Sequence, residues 1–210
     1  MNNKSNKTPY NLDETMDVAR REFSQKPALE MAANSGCLYD LDKQRFTVPF
    51  LGENYTVTYP DGIVKMANEI TEAPLITAIL LLHYLTQASG IELSKNWISF
   101  KELQGGGIYI EPFQHRAVIP FVKNFGARPT EFARAAEKLG GERAQHGDIA
   151  YIIPALPRVP ILYILWQGDE EFPPNGTILF DNFANAYLHT EDYAFLAGMT
   201  VGALVNTLKS

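Results

Sequence analysis

The residues whose side chains could do chemistry are concentrated in the stretch 156–192. The stretch holds six acids and one histidine: Asp169, Glu170, Glu171, Asp181, Glu191, Asp192 and His189. Carboxylate clusters supply the oxygen ligands that hard cations prefer, and two carboxylates in unequal environments can serve as general acid and general base. The candidate ligand-binding residues are four of these acids with an aromatic residue and the histidine: Trp166, Asp169, Glu170, Glu171, Asp181 and His189. The candidate metal ligands among them are Asp169, Glu171 and Asp181, and a divalent cation is the cofactor they would hold.

The same acids also have a structural interpretation. Acids before a turn are usually solvated, and Glu191 and Asp192 suit the first turn of a helix, where the helix dipole favours negative charge. His189 would join a metal site or form a local hydrogen bond. The sequence contains no EF-hand loop, HExxH helix or paired-cysteine zinc pattern. The spacing of the acids therefore leaves both interpretations open.

Two short strands are predicted to position the acid cluster. Residues 159–166 form an apolar run rich in β-branched and aromatic side chains, and residues 177–180 form a second run. Glycine and proline turn residues between them predict a hairpin. Because a hairpin brings the end of one strand beside the start of the next, we expect Asp169 and Asp181 to lie close together. Trp166 ends the apolar strand, so we expect its ring to be largely buried.

Two helices are predicted to flank this hairpin. Residues 72–89 form the most hydrophobic helical segment, with apolar residues on nearly every side, so we expect a central, buried helix. His83 within it is expected to be a core residue with a satisfied hydrogen bond. The last helix is predicted from Thr190 to about Leu208. Gly198 and Gly202 within this helix cost roughly 1 kcal/mol each relative to alanine, which predicts a close neighbour at both positions.

The other segments complete an α+β pattern. Helices are predicted at 13–25, 27–36, 115–125 and 130–139, and strands at 45–50, 55–59, 97–103 and 148–153. The triple glycine at 105–107 is predicted to be a mobile turn. Because helices and strands are segregated along the chain, the pattern predicts an antiparallel or mixed sheet packed against a central apolar helix and a C-terminal helix.

Length and composition predict one domain over 210 residues, with residues 1–9 disordered and residues 10–36 forming an N-terminal helical arm. The net charge of −6 and the lack of a basic cluster argue against a nucleic-acid partner. The longest apolar run, 73–85, is too short to span a bilayer, so no membrane partner is expected. A single cysteine, Cys37, fits a reducing compartment and therefore a soluble cytoplasmic protein.

Several runs of sequence carry a resemblance to a known family. LPRVPILYILWQGDEEFPPNGTILFD with the following YLHTED, together with LLLHYL and WISFKELQGG, resembles a family of uncharacterised proteins found mainly in anaerobic bacteria and archaea. The resemblance covers the chain from about Glu72 to its end. Some members carry a cysteine-rich iron–sulfur segment, which implies low-potential redox or corrinoid metabolism. With Cys37 alone, this chain is not expected to hold such a cluster.

Three functions follow from these observations. The first is an accessory protein that binds a small ligand, a cofactor or a redox or corrinoid-related protein partner in anaerobic metabolism. The second is a metal-dependent enzyme that uses the carboxylates in the stretch 169–192. The third is a structural interaction protein. A pocket lined by Trp166 and two or more carboxylates would favour the enzyme, and an exposed apolar patch without a pocket would favour the interaction protein.

Overall fold

The computed structural model describes residues 11–66, 68 and 70–209, so the prediction of disorder at 1–9 falls outside the described residues. The helices are Leu12–Gln25 (α1), Ala28–Ser35 (α2), Leu75–Gln87 (α3), Gly106–Phe113 (α4), Ile119–Phe125 (α5), Pro129–Lys138 (α6) and Thr190–Thr207 (α7). The strands are Leu38–Asp40 (β1), Arg45–Phe50 (β2), Glu53–Thr58 (β3), Val64–Met66 (β4), Trp97–Ser99 (β5), Glu142–Ala144 (β6), Ile149–Leu156 (β7), Val159–Trp166 (β8) and Asn175–Asp181 (β9). The predicted α+β class is confirmed.

The strands form two antiparallel sheets. The first is a meander in the order β1-β2-β3-β4, and its β2–β3 hairpin turns at Leu51 and Gly52, both with positive φ. The second has the order β5-β9-β8-β7-β6, so β5 joins the far edge of a four-strand meander. A hydrogen bond of 3.1 Å from the Leu51 amide to the Ala155 carbonyl connects the two sheets. The predicted hairpins are therefore present, although their strands divide between two sheets.

Helix α3 is buried along most of its length, as its composition predicts. Its residues from Thr77 to Leu82 are buried, as are Tyr84 and Leu85. Helices α1 and α2 pack against it, and Phe23 of α1 has no exposed surface. None of the described helices combines the length and the apolar character needed to cross a membrane.

The region after β5 differs from the prediction. The triple glycine begins helix α4 instead of forming a mobile turn, and a π-helical turn at Gln114–Val118 leads from α4 into α5. A β-carbon on Gly106 would lie 2.0 Å from the Phe100 carbonyl oxygen, so this position requires glycine. Residues 100–102 form a 3-10 turn, which leaves β5 as a strand of three residues. Three consecutive glycines have little intrinsic helix propensity, and tertiary packing overrides it here.

Helix α7 packs against the inner face of the second sheet. The Tyr163 hydroxyl on β8 donates to the Ala197 carbonyl at 2.9 Å, and both residues are fully buried. A β-carbon on Gly198 would lie 2.7 Å from the Arg116 carbonyl oxygen, which explains this glycine. Gly202 has open space at the corresponding point, so the expected close neighbour is found only at Gly198.

Candidate functional site

The acids of the β8–β9 loop form a hydrogen-bonded turn. Asp169 Oδ1 accepts from the Glu171 amide at 2.8 Å and from the Phe172 amide at 2.7 Å. These two bonds, the Phe172 bond above all, lower the pKa of Asp169 below its ordinary value. Glu170 and Glu171 are exposed. The geometry gives Asp169 the structural role that turn chemistry predicts.

Asp181 occupies a different environment, where its carboxylate holds a neighbouring loop. Its Oδ1 accepts from the Ser94 amide at 3.1 Å, the Ser94 hydroxyl at 3.0 Å and the Phe183 amide at 2.9 Å. Its Oδ2 accepts from the Lys95 amide at 2.7 Å. The residue is 2% exposed. Backbone and hydroxyl donors therefore satisfy this buried charge.

The prediction that Asp169 and Asp181 lie close together is wrong. Trp166 of β8 pairs with Asn175 of β9, so the acid loop lies at that end of the hairpin. Asp181 ends β9 at the other end, opposite Trp97 of β5. Six residues of extended strand separate the two ends by about 20 Å. A hairpin brings only the start of its second strand beside the turn, and Asp181 is the last residue of that strand.

Trp166 also departs from the prediction, because the residue is 38% exposed. Its ring lies beside Gly147, where a β-carbon would lie 3.3 Å from Trp166 Cε2. It lines an open depression with Gln167, Asn175 and the turn 172–174. The loop acids line a neighbouring depression of about 440 Å³ that does not include Trp166. The arrangement that would favour the metal-dependent enzyme is therefore not formed at Trp166.

The described part of the chain contains no group of three or more histidine, cysteine or acidic side chains placed to hold a metal ion. The three candidate ligands, Asp169, Glu171 and Asp181, are split between the two ends of the β8–β9 hairpin. Cys37 is buried, and this burial raises the pKa of its thiol to about 11. Such a thiol is overwhelmingly protonated at neutral pH, which suits a packing role.

A paired histidine and aspartate lie between helices α3 and α7. His83 Nδ1 is 3.0 Å from Asp192 Oδ1 and 3.1 Å from Oδ2. The side chains are 18% and 11% exposed, so the pair is largely withdrawn from solvent. Because an ionised carboxylate only accepts hydrogen bonds, Nδ1 carries a proton, and Nε2 is the atom that gains or loses one. This confirms the prediction that His83 has a hydrogen-bonding partner.

The pair borders a small cavity between three helices. The cavity has a volume of about 90 Å³ and is more enclosed than the depressions at the acid loop. Its lining residues come from α1, α3 and α7: Leu12, Thr15, Ile76, Ile79, Leu80, His83, Glu191, Asp192 and Phe195. The walls are mostly apolar, and each helix adds polar groups: Thr15 from α1, His83 from α3, and Glu191 and Asp192 from α7. The combination of apolar walls and a few polar groups is the lining of a ligand site, in a cavity smaller than the roughly 300–1,000 Å³ of sites for drug-sized molecules.

The charges around His83 favour its protonated form. Burial of the ring lowers its pKa, but the hydrogen bond and charge of Asp192, with the charges of Glu22 and Glu191, raise it more. The pKa of His83 therefore lies above its ordinary value. Perturbed titratable groups beside a cavity are a mark of functional sites. Of the candidates predicted from sequence, His189 is the one beside this pair, with its ring centre 6.4 Å from that of His83.

The sequence could not assign this site because His83 and Asp192 are 109 residues apart. Each has a local explanation, His83 as a core residue and Asp192 as an acid in the first turn of α7. One signal was available: a histidine within a strongly apolar helix needs a buried polar partner from another element. The sequence did not indicate which acid would provide it.

The chain belongs to a family of unknown function. Residues 28–203 match the family model described as Domain of unknown function (DUF3786), which confirms the uncharacterised family that the resemblance implied. The match includes α3, both sheets and most of α7, and therefore His83 and Asp192. Helix α1, which forms one wall of the cavity, precedes the matched residues. Neither the curated proteins nor the solved structures gave a match to the chain.

Proposed function

We propose that the chain is a binding protein that takes a small ligand in the cavity between α1, α3 and α7. The observation that supports this function is the His83–Asp192 pair at the edge of a partly enclosed apolar cavity. The pair offers an oriented hydrogen-bonding group, and the walls offer apolar contact. Binding needs no further reacting group, which makes it the simplest function for this set of side chains.

The size of the cavity limits the ligand. Its volume of about 90 Å³ is several times the roughly 10–15 Å³ that one enclosed water molecule needs. The group that enters is therefore small, and a nucleotide or flavin ring is too large for it. A larger ligand would have to leave most of its atoms outside the three helices.

The proposal also includes the cellular role of the protein and its protein partner. The family resemblance supports an accessory role in the cytoplasm, in anaerobic metabolism, with a redox or corrinoid-related protein as partner. A metal-dependent reaction at the acids 169–192 has less support, because Asp181 is engaged by four donors and Asp169 lies at the opposite end of the hairpin.

Native mass spectrometry of the purified protein, followed by a small-fragment screen with protein-observed NMR, tests the proposal. We expect fragments to shift the methyl signals of Ile79 and Leu80, which line the cavity. Ile76→Phe should abolish these shifts, because Ile76 also lines the cavity and, at 36% exposure, can accept a larger side chain.

Ile119→Phe is the matched control, since Ile119 is a 50% exposed isoleucine on α5 that does not line the cavity. Fragments should bind this variant as they bind the wild type. The proposal is wrong if no fragment shifts the cavity methyl signals, or if Ile76→Phe binds fragments as well as Ile119→Phe does.

A further inference from the structure

We infer that the ligand of this cavity is a small organic cation, a primary ammonium group on a short alkyl chain. The inference rests on the proposed function and adds the chemical class of the ligand. It follows from the charges and the apolar surface that the three helices bring together.

The charged groups at the cavity are predominantly acidic. Glu191 and Asp192 are both lining residues, and neither lysine nor arginine is among the described lining residues. Glu22 of α1 acts on His83 from outside the lining. Even with His83 protonated, the two lining carboxylates outnumber the one lining cation. An anionic ligand would have to overcome this field in a partly desolvated place, whereas a cation is attracted to it.

Arg116 is a cation near this wall, and it contacts the wall through Phe195. Its guanidinium carbon lies 4.0 Å from the centre of the Phe195 ring, a cation–π contact. Phe195 lines the cavity, and Arg116 does not. The arginine therefore contacts the ring without lining the cavity, whereas Glu191 and Asp192 line it.

The apolar walls distinguish an alkylammonium ion from a metal ion. Leu12, Ile76, Ile79 and Leu80 supply aliphatic surface without oxygen ligands, and Phe195 supplies an aromatic ring. A hydrated metal ion gains nothing from such walls, whereas an alkyl chain gains roughly 0.8 kcal/mol for each methylene that it buries. The volume of about 90 Å³ suits a chain of about four carbons.

The two carboxylates at the cavity are not equivalent. Asp192 is 8% exposed and uses both oxygens on His83 Nδ1. Glu191, the residue before it, is more exposed. Glu191 is therefore the carboxylate that can turn to an incoming ammonium group without breaking the His83–Asp192 pair. Its charge can be removed with the pair left in place.

The test compares three ligands that share one chain and differ in head group: butylammonium, butan-1-ol and butyrate. Their binding is followed by the methyl signals of Ile79 and Leu80 at pH 7 and low ionic strength, because salt screens charge attraction. We expect butylammonium to bind most tightly, the alcohol more weakly, and butyrate not at all. Added salt should weaken the binding of butylammonium and leave that of the alcohol unchanged.

The variant Glu191→Gln should lower the affinity for butylammonium by about three- to fivefold, the effect of removing one partly exposed carboxylate. It should leave the affinity for butan-1-ol unchanged. Glu30→Gln is the matched control, because Glu30 is an exposed first-turn acid of α2 that does not line the cavity. It should bind all three ligands as the wild type does.

The outcomes separate the two proposals. If none of the three ligands binds while fragments of the screen do, the cationic class is wrong and the proposed function stands; if neither the ligands nor any fragment binds, both fail. If the alcohol or butyrate binds as tightly as butylammonium, the cavity is a ligand site and only the cationic class is wrong. An unchanged butylammonium affinity in Glu191→Gln would also overturn the cationic class.

Discussion

At the scale of single residues, the His83–Asp192 pair is the feature with the largest number of consequences. Asp192 lies in the first turn of α7, where the helix dipole stabilises its charge. The same carboxylate orients the His83 ring from α3. The pair therefore joins two helices that are distant in sequence, and it fixes the imidazole at the edge of the cavity. An orientation of this kind makes a histidine a defined hydrogen-bonding group.

The pair makes stability depend on pH. The pKa of His83 in the folded protein is raised, and the ordinary histidine value is about 6.5. The protonated ring therefore stabilises the fold fully below about pH 6.5, and this contribution is lost as pH rises through the folded pKa. We expect the free energy of unfolding of wild type minus that of His83→Gln to fall as pH rises. Urea unfolding between pH 5 and 9 measures this difference.

His146→Gln controls for the loss of an imidazole, because His146 is exposed in the loop between β6 and β7. A difference between wild type and His83→Gln that increased with pH would mean that the pair does not favour the protonated ring. If His146→Gln changed the free energy of unfolding with the same pH dependence as His83→Gln, the effect would not come from the pair.

Asp181 and Asp169 provide a second comparison of single residues. Asp181→Asn should lower the free energy of unfolding by roughly 2–4 kcal/mol. Both carboxylate oxygens of Asp181 accept hydrogen bonds, and asparagine replaces one of them with an amide nitrogen that cannot accept. Asp169→Asn should cost less. Both of its amide bonds go to Oδ1, which an asparagine retains, and the residue is exposed. Urea unfolding of the two variants at pH 7 measures the losses. Equal losses would contradict the different roles of the two carboxylates.

At the scale of elements, helix α7 shows how one residue type can have two effects. Gly198 lies against the Arg116 carbonyl, whereas Gly202 is exposed and has open space around it. Helix α7 packs closely against the π-helical turn at Gln114–Val118, and this close packing requires glycine at position 198. The Gly202 position carries only the low helix propensity of glycine. It borders a wide groove with Met199 and Ala203.

The two glycines should respond to alanine in opposite directions. Gly202→Ala should raise the free energy of unfolding by about 0.5–1 kcal/mol, since it adds helix propensity without a clash. Gly198→Ala should lower it, because its β-carbon would lie 2.7 Å from a backbone oxygen. Thermal unfolding of both variants measures the signs. Stabilisation by Gly198→Ala would show that the contact with Arg116 can relax.

The elements that local sequence could predict are those set by periodicity and turn residues. The β2–β3 hairpin and the burial of α3 follow from patterns within about twenty residues of sequence. Helix α4 could not be predicted in the same way, because three glycines and Pro112 oppose a helix locally. The division of the strands into two sheets depends on long-range pairing, such as that of β5 with β9. The His83–Asp192 pair could not be predicted for the same reason, because its two residues are 109 positions apart.

At the scale of the whole molecule, Tyr84 connects parts of the chain that are far apart in sequence. Its hydroxyl donates to the Ser35 carbonyl at the end of α2 and accepts from the Arg158 amide in the β7–β8 turn. Tyr84 itself lies on α3 and has no exposed surface. One buried hydroxyl therefore joins the N-terminal helices, the central helix and the second sheet. The apolar core is continuous across the same elements.

This connection predicts that the chain from about Leu12 to Leu208 unfolds as one cooperative unit. Tyr84→Phe removes a donor from the Ser35 carbonyl and an acceptor from the Arg158 amide, so it should cost about 1–3 kcal/mol. If the two sheets unfold together, the variant should speed hydrogen exchange at slow amides of β2–β3 and of β7–β8 by the same factor. Hydrogen exchange measured by mass spectrometry compares the two sheets within one experiment. Faster exchange confined to β7–β8 would instead show two independently stable units, because a loss at Tyr84 reaches the first sheet only through a shared unfolding step.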